Sequence, residues 1–272
     1  MKVEILVPIY KDLEALSLIL DSLKKQTYKD FAVTICEDDD AEETKIFLNN
    51  YKSNLNIKHI SQKDNGNNKA VILNTALKES KADYIIFIDG DTIPFTTFVD
   101  AHIKLSKNKT ILCGRRVNLG DKVSQDLREQ KIKSFEIEKN YLKLYRYLTL
   151  NGTRHYEQGI YLKPNSLIQK LVSKTDKNIH ILGSNFSCFK KDIEYINGFD
   201  EDITGGSKDD VDLEWRFLMS GCKLASVKFC ANLFHLNHSR NDRTKDEEIA
   251  KIQMEKNKNI KRFICKNGIN KL

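Results

Sequence analysis

Apolar positions recur along this chain with two alternating periods. Residues 3–8 form a short apolar run with one charge, Glu4, inside it. Residues 12–26 then place Leu13, Leu16, Leu20 and Leu23 at helical spacing, with Ile19 widening the stripe. The alternation continues as an expected strand at 31–36, a helix at 42–51, a strand at 57–60, a polar turn at 64–68, a helix at 69–80 and the apolar run Tyr84-Ile85-Ile86-Phe87-Ile88. This βαβαβαβ order predicts an α/β fold: a mostly parallel sheet with crossover helices on both faces.

The run at 84–88 stops at Asp89-Gly90-Asp91. A continuous apolar strand suits burial on both sheet faces, and ligands of such sheets sit outside the strands' carboxyl ends, so both carboxylates are expected at a crevice. Two hard oxygen ligands on a tight turn can hold Mg²⁺ or Mn²⁺ and leave positions open for diphosphate oxygens. An ordinary Asp-Gly turn is the plainer alternative. A second acidic cluster, Glu37-Asp38-Asp39-Asp40, follows the 31–36 strand and is expected on the same rim. There a carboxylate can accept hydrogen bonds from base N–H or ribose hydroxyl groups, or cap the following helix, a role that suits Asp40 and is open for Asp39. After the first strand stands Pro8-Ile9-Tyr10-Lys11 and no G-x-G-x-x-G, which disfavours a hydride-transfer enzyme.

In the second half, Gly183-Ser184-Asn185-Phe186-Ser187 leads into an expected strand, residues 195–201 form a turn, and residues 208–216 open a helix. Asp209, Asp210 and Asp212 exceed what capping needs. Helical spacing predicts an apolar stripe of Val211, Trp215 and Leu218, with Asp210 at the helix mouth where a carboxylate can act as general base. Between them, 125–147 reads as one long charged helix with Ile132, Phe135, Ile137, Tyr141, Leu144 and Leu148 available for packing, in an insertion over about 119–178. Shaping an acceptor site, a lid and an interface are all open roles for it.

A chain of 272 residues with 40% hydrophobic content can bury a core as one large or two small domains. No run approaches the roughly eighteen apolar residues of a membrane span, and the N-terminus reads as a strand and not a signal peptide, which points to the cytoplasm. The six cysteines lie scattered in apolar segments without a C-x-x-C pair, as buried thiols do. Net charge is +7, and Lys251, Lys256, Lys258, Lys261, Arg262, Lys266 and Lys271 crowd the end. With Ile252, Ile260, Phe263 and Ile264 among them, this tail is either an amphipathic helix resting on anionic lipid or the solvated face of a packed helix. Nucleic acid is disfavoured, because no nucleic-acid motif accompanies the charge.

Val7-Pro8-Ile9-Tyr10, Glu37-Asp38, Asp89-Gly90-Asp91, Asn197-Gly198-Phe199-Asp200-Glu201 and Asp209-Asp210-Val211-Asp212-Leu213 occur in an order that resembles the family 2 inverting glycosyltransferases of the GT-A fold. The second half also looks like the C-terminal module of β-1,4-galactosyltransferases and bacterial chondroitin-type polymerases. The resemblance spans about residues 3–240. It implies a mixed, mostly parallel central sheet flanked by helices in a single domain over 1–240. Residues 1–100 would be its Rossmann-like, nucleotide-sugar-binding half and 101–240 its acceptor half, followed by a basic helical tail at 241–272.

The same resemblance implies a nucleotide-sugar donor, usually a UDP-sugar, with Mn²⁺ or Mg²⁺. It also implies a glycan or lipid-linked glycan acceptor in bacterial surface polysaccharide synthesis, such as capsule, lipopolysaccharide or O-antigen chains, with peripheral membrane contact through the tail. Residue by residue, it puts Pro8 and Tyr10 beside the uracil and Glu37 and Asp38 at base and ribose. Gly90 falls in the donor site, Asp89 on ribose or metal, and Asp91 as principal metal ligand. Asp210 matches the catalytic base, with Asn185, Asp209 and Trp215 on the acceptor side. Asp209 stands where the family usually has glutamate, and Glu37-Asp38-Asp39-Asp40 where it commonly has Asp-Asp-Gly-Ser. His238 matches the histidine that precedes Ser239-Arg240 in the galactosyltransferases, and His235, directly after its strand, is the favoured further ligand. Rival readings are a nucleotidyltransferase, whose glycine- and lysine-rich phosphate loop is missing, and a non-catalytic glycan-binding or scaffold subunit.

Overall fold

The structure, a computed structural model, describes residues 1–51, 54–66, 68–203, 208–238 and 244–272. The first half alternates as expected: β1 (Val3–Ile9), α1 (Leu13–Lys24), β2 (Ala32–Glu37), α2 (Glu42–Asn50), β3 (Asn56–Ser61), α3 (Lys69–Glu79) and β4 (Tyr84–Phe87). There follow β5 (Thr92–Pro94), α4 (Phe98–Leu105), β6 (Thr110–Cys113), β7 (Val117–Asn118), α5 (Asp121–Arg128), α6 (Ser134–Lys139), α7 (Tyr141–Leu150) and α8 (Leu167–Thr175). The chain then forms β8 (Phe186–Phe189), α9 (Lys190–Tyr195), α10 (Lys208–Met219), β9 (Lys223–Ser226), β10 (Leu233–His235) and α11 (Thr244–Asn259).

The main sheet runs β3-β2-β1-β4-β8-β6-β9. All its pairings are parallel except those of β8, which is antiparallel to β4 and β6. Strand alternation divides the core. Val3, Ile5 and Val7 of β1, with Tyr84 and Ile86 of β4, pack with α1 and α4 on one face, while Leu6, Ile85 and Phe87 pack with α3 and α10 on the other. Glu4, the charge inside β1, is buried because hydroxyls of Thr34 and Ser80 donate to its two carboxylate oxygens.

The insertion departs from its expected single helix. Residues 125–147 fall across α5, α6 and α7, broken where Gln130 takes a left-handed φ of 55° and again at Asn140, which ends α6. These short helices put Val123, Leu127, Ile137, Tyr141 and Leu148 under a second sheet, ordered β5-β10-β7. Arg128 locks them to α1 by a two-pronged bond to Asp12, 2.7 Å on each prong.

The basic tail packs back on the rest of the chain. α11 packs on α10 and buries Ala250 and Met254 against Ile203, while Phe263 and Ile269 join the core beneath α10. Asn197 Nδ2 donates to Cys265 O at 2.8 Å, tying the last residues to the Asn197-Gly198 turn. All six cysteines are buried free thiols. Among the described residues, no helix is long and apolar enough to cross a membrane.

Candidate active site

The turn after β4 meets the end of β10 because the two adjoining strands pair. Thr92, the first residue of β5, stands opposite His235, and Leu236 N–H donates to Asp91 O at 2.9 Å. His238 Nε2 consequently lies 3.0 Å from Asp91 Oδ2, and His235 Nε2 lies 3.3 Å from the same oxygen. One ligand atom from each of the three residues falls within 4.8 Å of the others. Burial opposes ionisation of Asp91, but the bonds to His235 and His238 outweigh it and hold the carboxyl well below the usual range. Asp91 Oδ1 is buried with no hydrogen-bond partner among the described residues. A carboxylate with an orphaned oxygen beside two imidazoles fits a divalent cation. The mixed nitrogen and oxygen set suits Mn²⁺ better than Mg²⁺, which prefers oxygen alone. The insertion buttresses this loop: Asn237 N–H donates to Ser124 Oγ of α5 at 2.8 Å. Ser239 and Arg240, part of the late motif, lie outside the described residues.

Asp89 does not join the histidines. Its Oδ1 lies 2.6 Å from Lys69 Nζ, at the first turn of α3. Burial works against the lysine's charge, yet the fields of Asp89, Asp209 and Asp210 more than offset it and keep the ammonium protonated. Asp210 sits in the first turn of α10, and its Oδ2 accepts from Gly183 N–H at 2.8 Å. Burial, reinforced by Asp209 and Asp89 and opposed by Lys69, pushes its carboxyl up to about 7. Asp209 is raised too, chiefly by burial. A methyl group on Gly183 would come within 2.9 Å of Asp210 Oδ1 and 3.1 Å of Lys69 Nζ, so base candidate and lysine converge over that glycine. Lys69 escaped the sequence reading. The signal for it was electrostatic: a rim with this many carboxylates needs a buried counter-charge, and Lys69 opens the helix between the two acidic strands.

On the donor side, Gly90 runs so close to β1 that a Cβ there would meet Pro8 O at 2.4 Å. Tyr10 is 53% exposed and donates its hydroxyl to Asp64 Oδ2 at 3.0 Å, with Lys11 Nζ 4.5 Å from its ring centre. Asp38 accepts from Asn68 N–H at 2.8 Å and from Gln62 Nε2 at 2.6 Å, anchoring the residue that precedes Lys69. Two expectations change here. Glu37 lies beneath the rim, fully buried and bonded to His59 Nε2 at 2.9 Å, so it does not reach an open crevice. Asp40 is not the cap of α2; Ala41 holds that position, while Asp40 accepts from Ser61 Oγ at 2.7 Å and pairs with Lys45.

The acceptor side changes more. Asn185 is fully buried: its amide donates to Arg115 O and Ala231 O, both at 2.8 Å, and its Oδ1 bonds His102 Nε2 at 3.2 Å, leaving it no group for a substrate. The expected stripe on α10 is reversed. Val211 and Leu218 are exposed, and the buried side is Leu213 and Phe217 with Asp212 and Arg216, whose Oδ2 and Nε are 2.5 Å apart. Trp215 lies about 140° around the helix from Asp210, with Lys258 of α11 5.9 Å from its ring centre. A recess of about 620 Å³ bounded by Met1, Asp83 and Lys190 opens at the other end of the strands, away from every one of these groups.

The family model described as "Glycosyl transferase family 2" matches residues 4–173. Chondroitin synthase of Escherichia coli is 29% identical over 102 residues, which span 37% of this chain and 15% of that synthase. Residues 1–349 of Staphylococcus aureus TarS, solved in complex with UDP, superpose with a TM-score of 0.57 at 15% identity, covering 94% of this chain and 72% of that one. A mannosyltransferase of Pyrobaculum calidifontis in complex with GDP-Man and Mn²⁺ gives a TM-score of 0.57 at 15% identity, covering 88% of this chain and 58% of that one. These likenesses show a shared fold, and the chain spans a small part of the synthase it matches.

Proposed function

The chain belongs to glycosyl transferase family 2 and has the GT-A fold, and from there we propose that it is a metal-dependent, inverting transferase that moves a sugar from a UDP-sugar to a bacterial surface glycan. The observation that carries this reading is Asp210. It is a carboxyl pushed up to about 7 at a helix mouth, in the field of Lys69, which pairs with the first carboxylate of the Asp-Gly-Asp turn whose other carboxylate meets two histidines. A base is most effective when its pKa lies near the working pH.

In this reading Asp210 takes the proton of an acceptor hydroxyl. The oxygen attacks the anomeric carbon in line, the bond from that carbon to the diphosphate oxygen breaks, and the configuration inverts. Lys69 pairs with Asp89 and keeps positive charge beside Asp210 and the donor. Asp91, His235 and His238 would hold a divalent cation, which when bound supplies positive charge for the leaving diphosphate. Pro8, Tyr10, Asp38 and Gly90 would frame base and ribose, and Asp209 would face the acceptor. TarS solved in complex with UDP and with UDP-GlcNAc sets the donor panel: UDP-sugars, with and without Mn²⁺, plus a glycan acceptor. Mn²⁺-dependent UDP release that needs Asp210 and yields a β-linked product from an α-linked donor is the expected result. A product that retains configuration would overturn inversion.

A further inference from the structure

α8 is folded inside out. Its polar side faces the protein: Gln169 is buried, with Oε1 accepting from Asn165 N–H at 3.2 Å, and Ser173 Oγ donates to Ser226 O at 3.1 Å. Its apolar side faces solvent, leaving Leu167 81%, Ile168 62% and Leu171 64% exposed. A helix packed on a water-soluble core normally shows the opposite arrangement. Lys170 and Lys174 border the apolar side, and Lys163 and Lys177 flank its ends; among the described residues none of the four makes an ion pair. Asp176 is the one acidic residue between 163 and 180, and it is spent on Ser226 Oγ at 2.7 Å.

We propose that α8 is an interfacial helix that docks this domain on an anionic lipid surface. Three aliphatic side chains on one face with lysines at its margin fit the boundary between acyl chains and headgroups. The stems of the lysines lie along apolar surface there while the ammonium groups meet lipid phosphate. A second copy of the chain is a poorer occupant. A two-fold contact through this face sets Lys170 and Lys174 against their own copies, and a helix of about two and a half turns falls short of the roughly 1,200 Å² that a stable interface buries. Docking would also orient the catalytic crevice. The segment after α8 runs directly to it, with Ile181 N–H bonded to Glu214 and Gly183 N–H to Asp210, both at 2.8 Å. The acceptor side would then open close to the lipid surface. This inference does not depend on which sugar is transferred.

The test is cosedimentation of the 272-residue chain with vesicles of phosphatidylcholine alone or mixed with phosphatidylglycerol, at low and high salt. The chain is expected to pellet with the mixed vesicles, less so at high salt, and weakly with phosphatidylcholine. Leu167→Ser/Ile168→Ser/Leu171→Ser removes exposed side chains, so it should keep the thermal transition and lose vesicle binding. Lys170→Glu/Lys174→Glu should lower partition by more than about tenfold, since each lysine near such a surface is worth about fivefold. No pelleting of the wild-type chain, or equal pelleting of the triple variant, overturns the proposal. So does a concentration-dependent dimer in sedimentation velocity that the triple variant abolishes, because it assigns the face to a second copy.

Discussion

Lys69 Nζ lies 2.6 Å from Asp89 Oδ1, while Asp91, two residues on, turns its carboxylate to His235 and His238. The Asp-Gly-Asp turn is therefore divided between a lysine and a metal-type site, because the chain turns between the end of β4 and the start of β5 and the two carboxylates do not share a strand face.

Metal dependence should follow Asp91 and the histidines and not Asp89. In Mn²⁺ titrations of UDP-sugar turnover, Asp91→Asn should abolish activity. His235→Ala and His238→Ala should each raise the half-saturating metal concentration by at least the about 10–100-fold that the loss of outer-shell partners costs. Asp89→Asn should leave that concentration nearly unchanged while weakening UDP binding. A metal requirement that shifts most in Asp89→Asn would return that residue to the ligand set.

Turnover should need Asp210 ionised. Asp210→Asn should retain UDP affinity and lose about two to four orders of magnitude in kcat. In the wild-type chain kcat should climb with pH through about 7, where the buried carboxyl ionises, and this limb should vanish in the variant. A rising limb that survives in Asp210→Asn would assign the base to another group.

The same carboxyl should make stability pH-dependent in a definite direction. Its folded pKa is raised from an ordinary 3.8 to about 7, so the folded state holds a proton that the unfolded chain has already released. The stabilisation this provides is complete below about pH 3.8 and is lost as pH rises through about 7. Without metal or donor, the Tm of wild type relative to Asp210→Asn should fall between pH 5 and pH 8. Asp209, raised in the same direction, leaves a residual slope in the variant. Parallel Tm profiles would contradict the burial argument.

Within α10, Arg216 is almost fully buried, bonded by Nε to Asp212 at 2.5 Å and by Nη1 to Gly198 O at 2.6 Å. Arg216→Ala strands Asp212 as a buried, unpaired charge and should cost about 3–5 kcal/mol in urea denaturation. Arg216→Met with Asp212→Leu, which removes both charges, should recover most of that loss. An additive double variant would mean that the pair is not coupled.

Much of the fold was legible because helical and strand periods are local. The alternation from β1 to β4 appeared within about two residues, and the apolar run before Asp89 became the buried β4 beside β1. The long helix expected over 125–147 failed for a local reason that periodicity does not encode: Gln130 adopts a left-handed backbone. The stripe on α10 failed for the opposite reason. Val211, Trp215 and Leu218 have the right spacing, but the Asp212–Arg216 pair, with Arg216 Nη1 held by Gly198 O, occupies the inner face that apolar side chains were expected to fill.

What the sequence determined by itself was the set of chemical groups and their local frames: carboxylates at strand ends, aspartates in a first helical turn, histidines after a short apolar run. Which of these groups meet was decided by pairings between distant segments. The β5–β10 ladder sets His235 opposite Thr92 and so beside Asp91, and the crossover through α3 delivers Lys69 to Asp89. Burial was decided there too, since Asn185 has the composition of a substrate-binding residue, and only the strands and loops that close around it turn its amide into a structural tie. A local pattern specifies what a residue can do, but hydrogen bonds and fields act over a few ångströms, and which residues come that close is a property of the assembled sheet.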